Sequence, residues 1–182
     1  MSKFNAPEVV KRSVETLDDG MALMRRVCGM GSKDEILMGA AYALPVEGAV
    51  VELGAGSGYS TCALAIGSKL AGRGKVWSVD VDIGQTSEHE MLIEAHRRHN
   101  GINRWKLLLE NVVYCGVADW VRFVVCDSVE AGKYLLVSCR IVFVDSTHES
   151  GRVKIEMDLY GRLVAPGGMV FVHDYYPKGM TD

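Results

Sequence analysis

Apolar residues form two kinds of run along the chain, and their alternation predicts strands separated by helices. Five short runs are almost continuously apolar, as strands buried on both faces of a sheet are; they cover residues 49–53, 75–80, 120–127, 140–145 and 168–174. Between them lie longer segments with helix-like character, at 33–44, 59–72, 87–116 and 149–164. This order predicts an α/β fold with a doubly wound, mainly parallel sheet and helices on both faces.

The segment between the second and third strands is longer than one crossover helix needs, since about 40 residues separate them. We expect an extra helix at 83–104. Upstream, we expect Ser32 to cap the helix at 33–44, with Glu35 in the capping-box position. The chain then divides into an N-terminal helical segment, 1–32, and one ligand-binding domain, 33–182.

A glycine-rich turn follows the first strand, in the stretch VVELGAGSGYST. Gly54, Gly56 and Gly58 allow a sharp turn whose backbone can touch a ligand, and the next helix offers unpaired N–H groups to a pyrophosphate or a carboxylate. A dinucleotide loop of the GxGxxG type would need glycine where Tyr59 stands, and the GK[ST] of a Walker loop is absent.

Acidic residues end the next two strands. Asp80 closes the second strand, where a carboxylate can accept hydrogen bonds from both ribose hydroxyls. Asp127 closes the third, where it can accept from the exocyclic amine of adenine. The predicted ligand therefore has a ribose and an adenine and needs no phosphate. The alternative is a glycine turn with solvated aspartates at the strand ends.

Five stretches of the chain resemble, in order and approximate spacing, the motifs of the class I S-adenosylmethionine-dependent methyltransferases: VELGAGSGYST, VWSVDVD, VRFVVCDS, IVFVDSTHE and LVAPGGMVFVHDYY. The resemblance spans residues 33–176 and implies a Rossmann-like sheet, S-adenosylmethionine as cofactor, and two final strands of the family's sheet that this sequence lacks. The cofactor site that it implies consists of Glu52, Gly54, Ala55, Gly56, Gly58, Tyr59, Ser60, Asp80, Val81, Asp127, Ser128 and Asp145.

The ends of the fourth and fifth strands carry a second group of polar residues. Asp145 and Asp174 lie there, and two carboxylates at adjacent strand ends can share a hard divalent cation that lowers the pKa of a bound hydroxyl. This part of the chain resembles the metal-assisted O-methyltransferases, and the type 24 methyltransferase domain most of all. The resemblance implies Mg²⁺ bound by Asp145 and Asp174, with His173 beside them, and His148 as general base.

The fifth-strand site departs from the pattern of many relatives, which carry a second carboxylate or an asparagine beside the aspartate. Here Asp174 lies between His173 and Tyr175. This difference changes the number of predicted metal ligands, and the dependence of the activity on a metal follows from that number. The alternative is that Asp145 caps the next helix and His173 forms a hydrogen bond in the cofactor site.

Composition indicates which partners the protein is expected to bind and in which cellular compartment it is expected to lie. A net charge of −3 and a pI near 6.0 give no strong field for nucleic acid or an acidic membrane. No apolar run approaches the roughly 18 residues of a membrane span, and no secretory signal is visible. The five cysteines form no CxxC pair, which indicates reduced thiols and a cytoplasmic protein.

The leading functional hypothesis is an O-methyltransferase for a small hydroxylated molecule of the sugar or natural-product type. A non-catalytic S-adenosylmethionine-binding module is the second, and an NAD-dependent oxidoreductase, disfavoured by Tyr59, is the third. Because the sequence ends soon after Asp174, we expect an open edge at the fifth strand and a homo-oligomer that uses it.

Overall fold

Five parallel strands form one sheet in the computed structural model, which describes residues 14–27, 31–81, 104–147 and 149–173. The strands are β1 (Ala49–Leu53), β2 (Val76–Asp80), β3 (Val121–Val125), β4 (Cys139–Val144) and β5 (Val164–Val172). Their order across the sheet is β3-β2-β1-β4-β5, and every neighbouring pair is parallel. Because the order reverses at β1, the chain winds away from β1 in both directions, which confirms the predicted doubly wound sheet.

Helices cover both faces of this sheet. In the described part of the chain they are α1 (Leu17–Val27), α2 (Ser32–Ala43), α3 (Tyr59–Ala71), α4 (Arg104–Tyr114), α5 (Ser128–Tyr134) and α6 (Ser150–Gly161). One apolar core contains residues of the first four helices together with alternate strand residues such as Val50. The other contains residues of α5 and α6 together with strand residues such as Val51. Successive strand residues point to opposite faces, so two cores require the nearly continuous apolar runs seen in the sequence.

The first four strands lie within two residues of their predicted bounds, whereas β5 begins earlier than expected. Residues 164–167, ahead of the predicted start at 168, also belong to β5. Cys139 of β4 pairs with Val164 and Ile141 pairs with Met169, so the extra residues form a bulge between the two registers. A strand with a bulge can therefore contain Pro166, Gly167 and Gly168.

The start of α2 differs from the predicted cap. Gly31 is the N-cap, and Ser32 is already the first helical residue. The backbone N–H of Gly31 donates to Asp34 Oδ2 at 3.1 Å. Glu35, expected to close a capping box, instead forms an ion pair with Arg25 of α1. The predictions of a Ser32 cap and a Glu35 box were wrong by one residue each.

Helix α5 was missed in the sequence because Asp127 was interpreted only as a ligand residue. Asp127 is the N-cap of α5, and its Oδ1 accepts from the backbone N–H groups of Val129 at 2.9 Å and Glu130 at 3.1 Å. The sequence carried the signal, since an acid followed three residues later by glutamate is typical of a helix start.

Several predictions fall on residues that the structure does not describe. They include nearly all of the extra helix at 83–104, His148 and Asp174. Among the helices of the described ranges, none is long and apolar enough to cross a membrane.

Candidate functional site

The carboxyl ends of β1 and β4 meet at the glycine turn. The Asp145 N–H donates to the Leu53 carbonyl at 2.8 Å. Gly54 has φ +91°, and a Cβ on it would lie 2.8 Å from the Cα of Ser146 and closer still to the Asp145 carbonyl oxygen. Gly54 is therefore required by a contact inside the protein, whereas the sequence suggested contact with a ligand. Its contact with a cofactor stays a prediction.

The turn leads into α3 without a side-chain cap. Gly58 is the N-cap, with φ +84°, and no side chain caps the helix there. The first-turn N–H groups of α3 can therefore serve another acceptor, such as a carboxylate. Tyr59 begins the helix and is partly exposed, and Ser60 is buried. This geometry fits S-adenosylmethionine, because the methionine part of that cofactor carries a carboxylate.

Asp80 holds the glycine turn against the end of β2. Its Oδ2 accepts hydrogen bonds from the backbone N–H groups of Ala55 at 2.8 Å and Gly56 at 3.1 Å. Asp80 is the last residue of β2, and Val81 follows it at the same edge of the sheet. The structure thus brings the acid predicted for the ribose to the predicted cofactor turn, while the ribose contact itself stays a prediction.

Glu52 lies in β1 just before the turn and is completely buried. Its Oε1 accepts from Ser60 Oγ at 2.6 Å, and its Oε2 accepts from Thr61 Oγ1 at 2.5 Å and Ser78 Oγ at 2.6 Å. The carboxyl group therefore ties β1 to β2 and to the first turn of α3. Thr61 and Ser78 were missed in the sequence, although a buried glutamate requires such donors.

Burial dominates the titration of Glu52. Desolvation raises the pKa of this carboxyl from its usual 4.5 to about 7, against the opposing effect of the three hydroxyl donors, while the nearby charge of Asp80 adds to the rise. The group at the base of the glycine turn therefore changes its protonation state near neutral pH.

Asp127 and Ser128 belong to a polar network with two residues of α6. Arg152 donates to Asp127 Oδ2 and, at 3.1 Å, to Ser128 Oγ. The Ser128 hydroxyl donates to the buried carboxylate of Glu156, which also accepts from Ser146 Oγ at 2.6 Å. Burial alone would raise the pKa of Asp127, but the Glu130 N–H and Arg152 bring it below its ordinary value.

This network connects the turn after β3 with the turn after β4. Both Asp127 oxygens already accept hydrogen bonds, so the predicted contact with an adenine amine would share them. Arg152 and Glu156 were missed in the sequence, because nothing in the helical pattern of 149–164 distinguishes an inward-facing ion pair from a solvated one.

Asp145, directly after β4, lies between two basic side chains. Its Oδ2 is 3.0 Å from Lys33 Nζ of α2, and its Oδ1 is 3.1 Å from His173 Nδ1 at the end of β5. The structure therefore joins two of the three predicted metal residues. It adds Lys33, which no sequence signal pointed to, since Lys33 is 112 residues away from Asp145.

The described residues do not fit a divalent cation as they stand. A hard cation needs several oxygen ligands, but Asp145 is the one predicted carboxylate in the described part, and an ammonium contacts it. No group of three potential metal ligands occurs among the described residues. Asp174 and His148 lie outside them, so the predicted Mg²⁺ site stays a prediction.

Comparison with known proteins identifies a family for this site. A family model described as a methyltransferase domain, of type 24, matches residues 51–175, which include the glycine turn and the ends of β2, β3, β4 and β5. A search of the curated proteins finds no match.

Several solved structures share the fold. Cofactor-bound Rv0187 from MTB superposes with a TM-score of 0.56 at 21% identity over 86% of this chain and 63% of that one. The SAH-bound methyltransferase PaMTH1 of Podospora anserina gives 0.56 at 17% identity, with 92% and 62% covered. A candidate caffeoyl-CoA O-methyltransferase from Staphylococcus aureus gives 0.57 at 13% identity, with 89% and 66% covered. The chain thus spans slightly less than two thirds of the length of these relatives, and at such identities the likeness shows the fold.

Proposed function

The chain belongs to the type 24 family of methyltransferase domains, and on this premise we propose that it transfers a methyl group from S-adenosylmethionine to a hydroxyl oxygen of a small molecule. The observation that carries the proposal is the hydrogen bonding of Asp80 to the N–H groups of Ala55 and Gly56. It brings the acid predicted for the ribose and the uncapped start of α3 to one place, where the ribose and the methionine carboxylate of the cofactor could both be held.

The cofactor would extend across the ends of β1, β2 and β3. In this arrangement Asp80 accepts from the ribose, and the first turn of α3 binds the methionine carboxylate. Asp127 fixes the turn on which Ser128 lies and so bounds the adenine side. Glu52 supports the turn from below, because its three hydroxyl partners fix β2 and α3 relative to β1.

The acceptor would bind on the β4 and β5 side, where Asp145 and His173 lie. In the transfer the acceptor oxygen forms a bond to the methyl carbon, the carbon–sulfur bond breaks, and sulfur keeps the electron pair. The acceptor proton goes to a base, a role that we assign to His148 on the resemblance described above. Among the described residues, Asp145 is the one carboxylate predicted to bind Mg²⁺, and Lys33 contacts it, so these residues alone do not form a Mg²⁺ site.

Calorimetry tests cofactor choice. S-adenosylhomocysteine should bind with a dissociation constant of roughly 1 µM, about −8 kcal/mol, and NAD should not bind. Asp80→Asn should weaken S-adenosylhomocysteine at least about tenfold, because a charged acceptor contributes about 1.5–3 kcal/mol per hydrogen bond. Asp119→Asn, the same change at an exposed acid, is the matched control. Tight NAD binding without heat from S-adenosylhomocysteine would end the proposal.

Methyl transfer to a panel of small hydroxylated molecules, with Mg²⁺ and with EDTA, tests the reaction. His148→Ala should lower the rate by roughly 10²–10⁴, the usual contribution of a general base. Binding of S-adenosylhomocysteine without transfer to any acceptor would favour a non-catalytic binding module. Loss of activity in EDTA would favour the Mg²⁺ site expected from the sequence.

We also propose that the protein forms a homo-oligomer through β5. This strand lies at one edge of the sheet of described residues, and Met169 on it is 45% exposed. An edge strand offers backbone groups to another copy. Light scattering should show a dimer or a larger oligomer, and Met169→Lys should weaken this association. A monomer at high protein concentration would contradict the proposal.

A further inference from the structure

A lysine lies beside Asp145 where the sequence predicted a divalent cation. Lys33 Nζ is 3.0 Å from Asp145 Oδ2 and 5.6 Å from the centre of the Phe143 ring, so both the carboxylate and the ring face attract it. His173 Nδ1 contacts the other carboxylate oxygen at 3.1 Å. A divalent cation that bound Asp145 would have to displace Lys33 or share the carboxylate with its positive charge.

The contact between Lys33 and Asp145 joins α2 to the end of β4, and other contacts hold the main chain on each side. Asp145 is held by the end of the β1–β4 ladder, and the His173 N–H donates to the Val144 carbonyl at 3.0 Å. Lys33 lies in the first turn of α2, which packs closely on α3: a Cβ on Gly67 would lie 2.9 Å from the Cβ of Ala41. The main chains on both sides are therefore well supported, and Lys33 is directed to the strand end by the packing of its helix.

Partial burial makes this pair stronger than an ordinary surface ion pair. The side chains of Lys33 and Asp145 are 36% and 18% exposed, whereas those of Lys106 and Glu110 on α4 are 62% and 43% exposed and 3.6 Å apart. Solvent and salt screen an interaction less when its groups are partly buried. Lys106 therefore provides a matched lysine whose charge lies away from the strand ends.

We propose that the Lys33 ammonium is a built-in counter-ion of Asp145 that excludes divalent cations from this end of the sheet. The positive charge that a bound metal would supply beside Asp145 then comes from the protein itself. Cation binding at Asp145 is independent of the methyl transfer proposed above, so its test remains meaningful if that proposal fails.

Binding of Mn²⁺, measured by electron paramagnetic resonance of the unbound ion, tests the inference. Lys33→Met removes the charge and keeps an unbranched side chain over Phe143, whereas Lys33→Arg keeps the charge. Lys33→Met should bind Mn²⁺ at least tenfold more tightly than the wild type, and Lys33→Arg should not. Lys106→Met should match the wild type, and adding Asp145→Asn to Lys33→Met should abolish the gain.

Equal Mn²⁺ affinity in the wild type and Lys33→Met, whether tight or weak, would overturn the inference. A gain that survives Asp145→Asn would overturn it as well. Thermal unfolding checks that each variant is folded, and Lys33→Gln replaces Lys33→Met if the latter is not. The wild type supplies an independent test, because tight Mn²⁺ binding that is lost in Asp145→Asn would show that Lys33 does not exclude the cation.

Discussion

Replacing Glu52 by glutamine should remove a pH dependence of stability that the wild type carries. The carboxyl is completely buried and accepts hydroxyl hydrogen bonds from Ser60, Thr61 and Ser78. A glutamine has the same shape: its carbonyl oxygen can accept from two of these hydroxyls, and its amide can donate to the third. Glu52→Gln should therefore fold with the same contacts but without an ionisable group at this position.

The size of the effect follows from the shifted pKa. The pKa of Glu52 rises from 4.5 to about 7 on folding, so between these values the folded protein binds more protons than the unfolded chain. The stabilisation is fully present below about pH 4.5 and is lost as the pH rises through about 7. At about 1.4 kcal/mol per pKa unit, the wild type should lose about 2–3 kcal/mol between pH 5 and pH 8 from this group alone.

Urea unfolding at pH 5, 6, 7 and 8 measures the free energy of unfolding of both proteins. The difference between wild type and Glu52→Gln isolates this group, since all other titrating residues are common to both. The difference should shift by about 2–3 kcal/mol across the range, in favour of glutamine at high pH. Glu110→Gln, the same change on the outer face of α4, is the control. A difference independent of pH would show that the hydroxyl donors keep Glu52 ionised and that desolvation does not dominate.

Two further predictions concern the turn and the network. Gly54→Ala should lower the free energy of unfolding, measured in urea, by at least about 2 kcal/mol, because its φ of +91° and the backbone at the end of β4 both oppose a side chain. Gly151→Ala is the control and should not lower this free energy, because a Cβ there meets nothing within 4 Å. Arg152→Met should cost about 1–3 kcal/mol in the same assay and weaken the binding of S-adenosylhomocysteine in calorimetry, because Asp127 loses a charged donor and the buried Glu156 loses a nearby positive charge. Unchanged values would show that the ion pairs contribute nothing.

The parallel sheet and its five strands could be predicted because burial on both faces leaves nearly continuous apolar runs in the sequence. Val50 and Val51 face different cores, and every residue of the central strands β1 and β4 is buried. The acids at the carboxyl ends followed from the same pattern, since parallel strands all end at one edge: Asp80 ends β2, and Asp145 follows β4.

The partners of those acids could not be predicted, because they come from distant parts of the chain. Lys33 reaches Asp145 across 112 residues, and Arg152 reaches Asp127 from another helix. Neither lysine nor arginine on a helix signals which strand end it will meet, since helix packing decides that. Helix α5 is different, because its capping signal at Asp127 and Glu130 was present in the sequence and was given another meaning.

The four acids at the carboxyl edge of the sheet all have protein partners in the structure. Glu52 is completely buried, and a buried carboxylate without donors would cost several kcal/mol, so its partners must be in place before a ligand arrives. Asp80 accepts from the glycine turn, Asp127 caps α5, Asp145 pairs with Lys33 and His173, and Glu52 accepts three hydroxyl groups. These same contacts fix the backbone that a cofactor would touch, so the cost of ordering the site is met during folding and does not reduce the affinity for the cofactor.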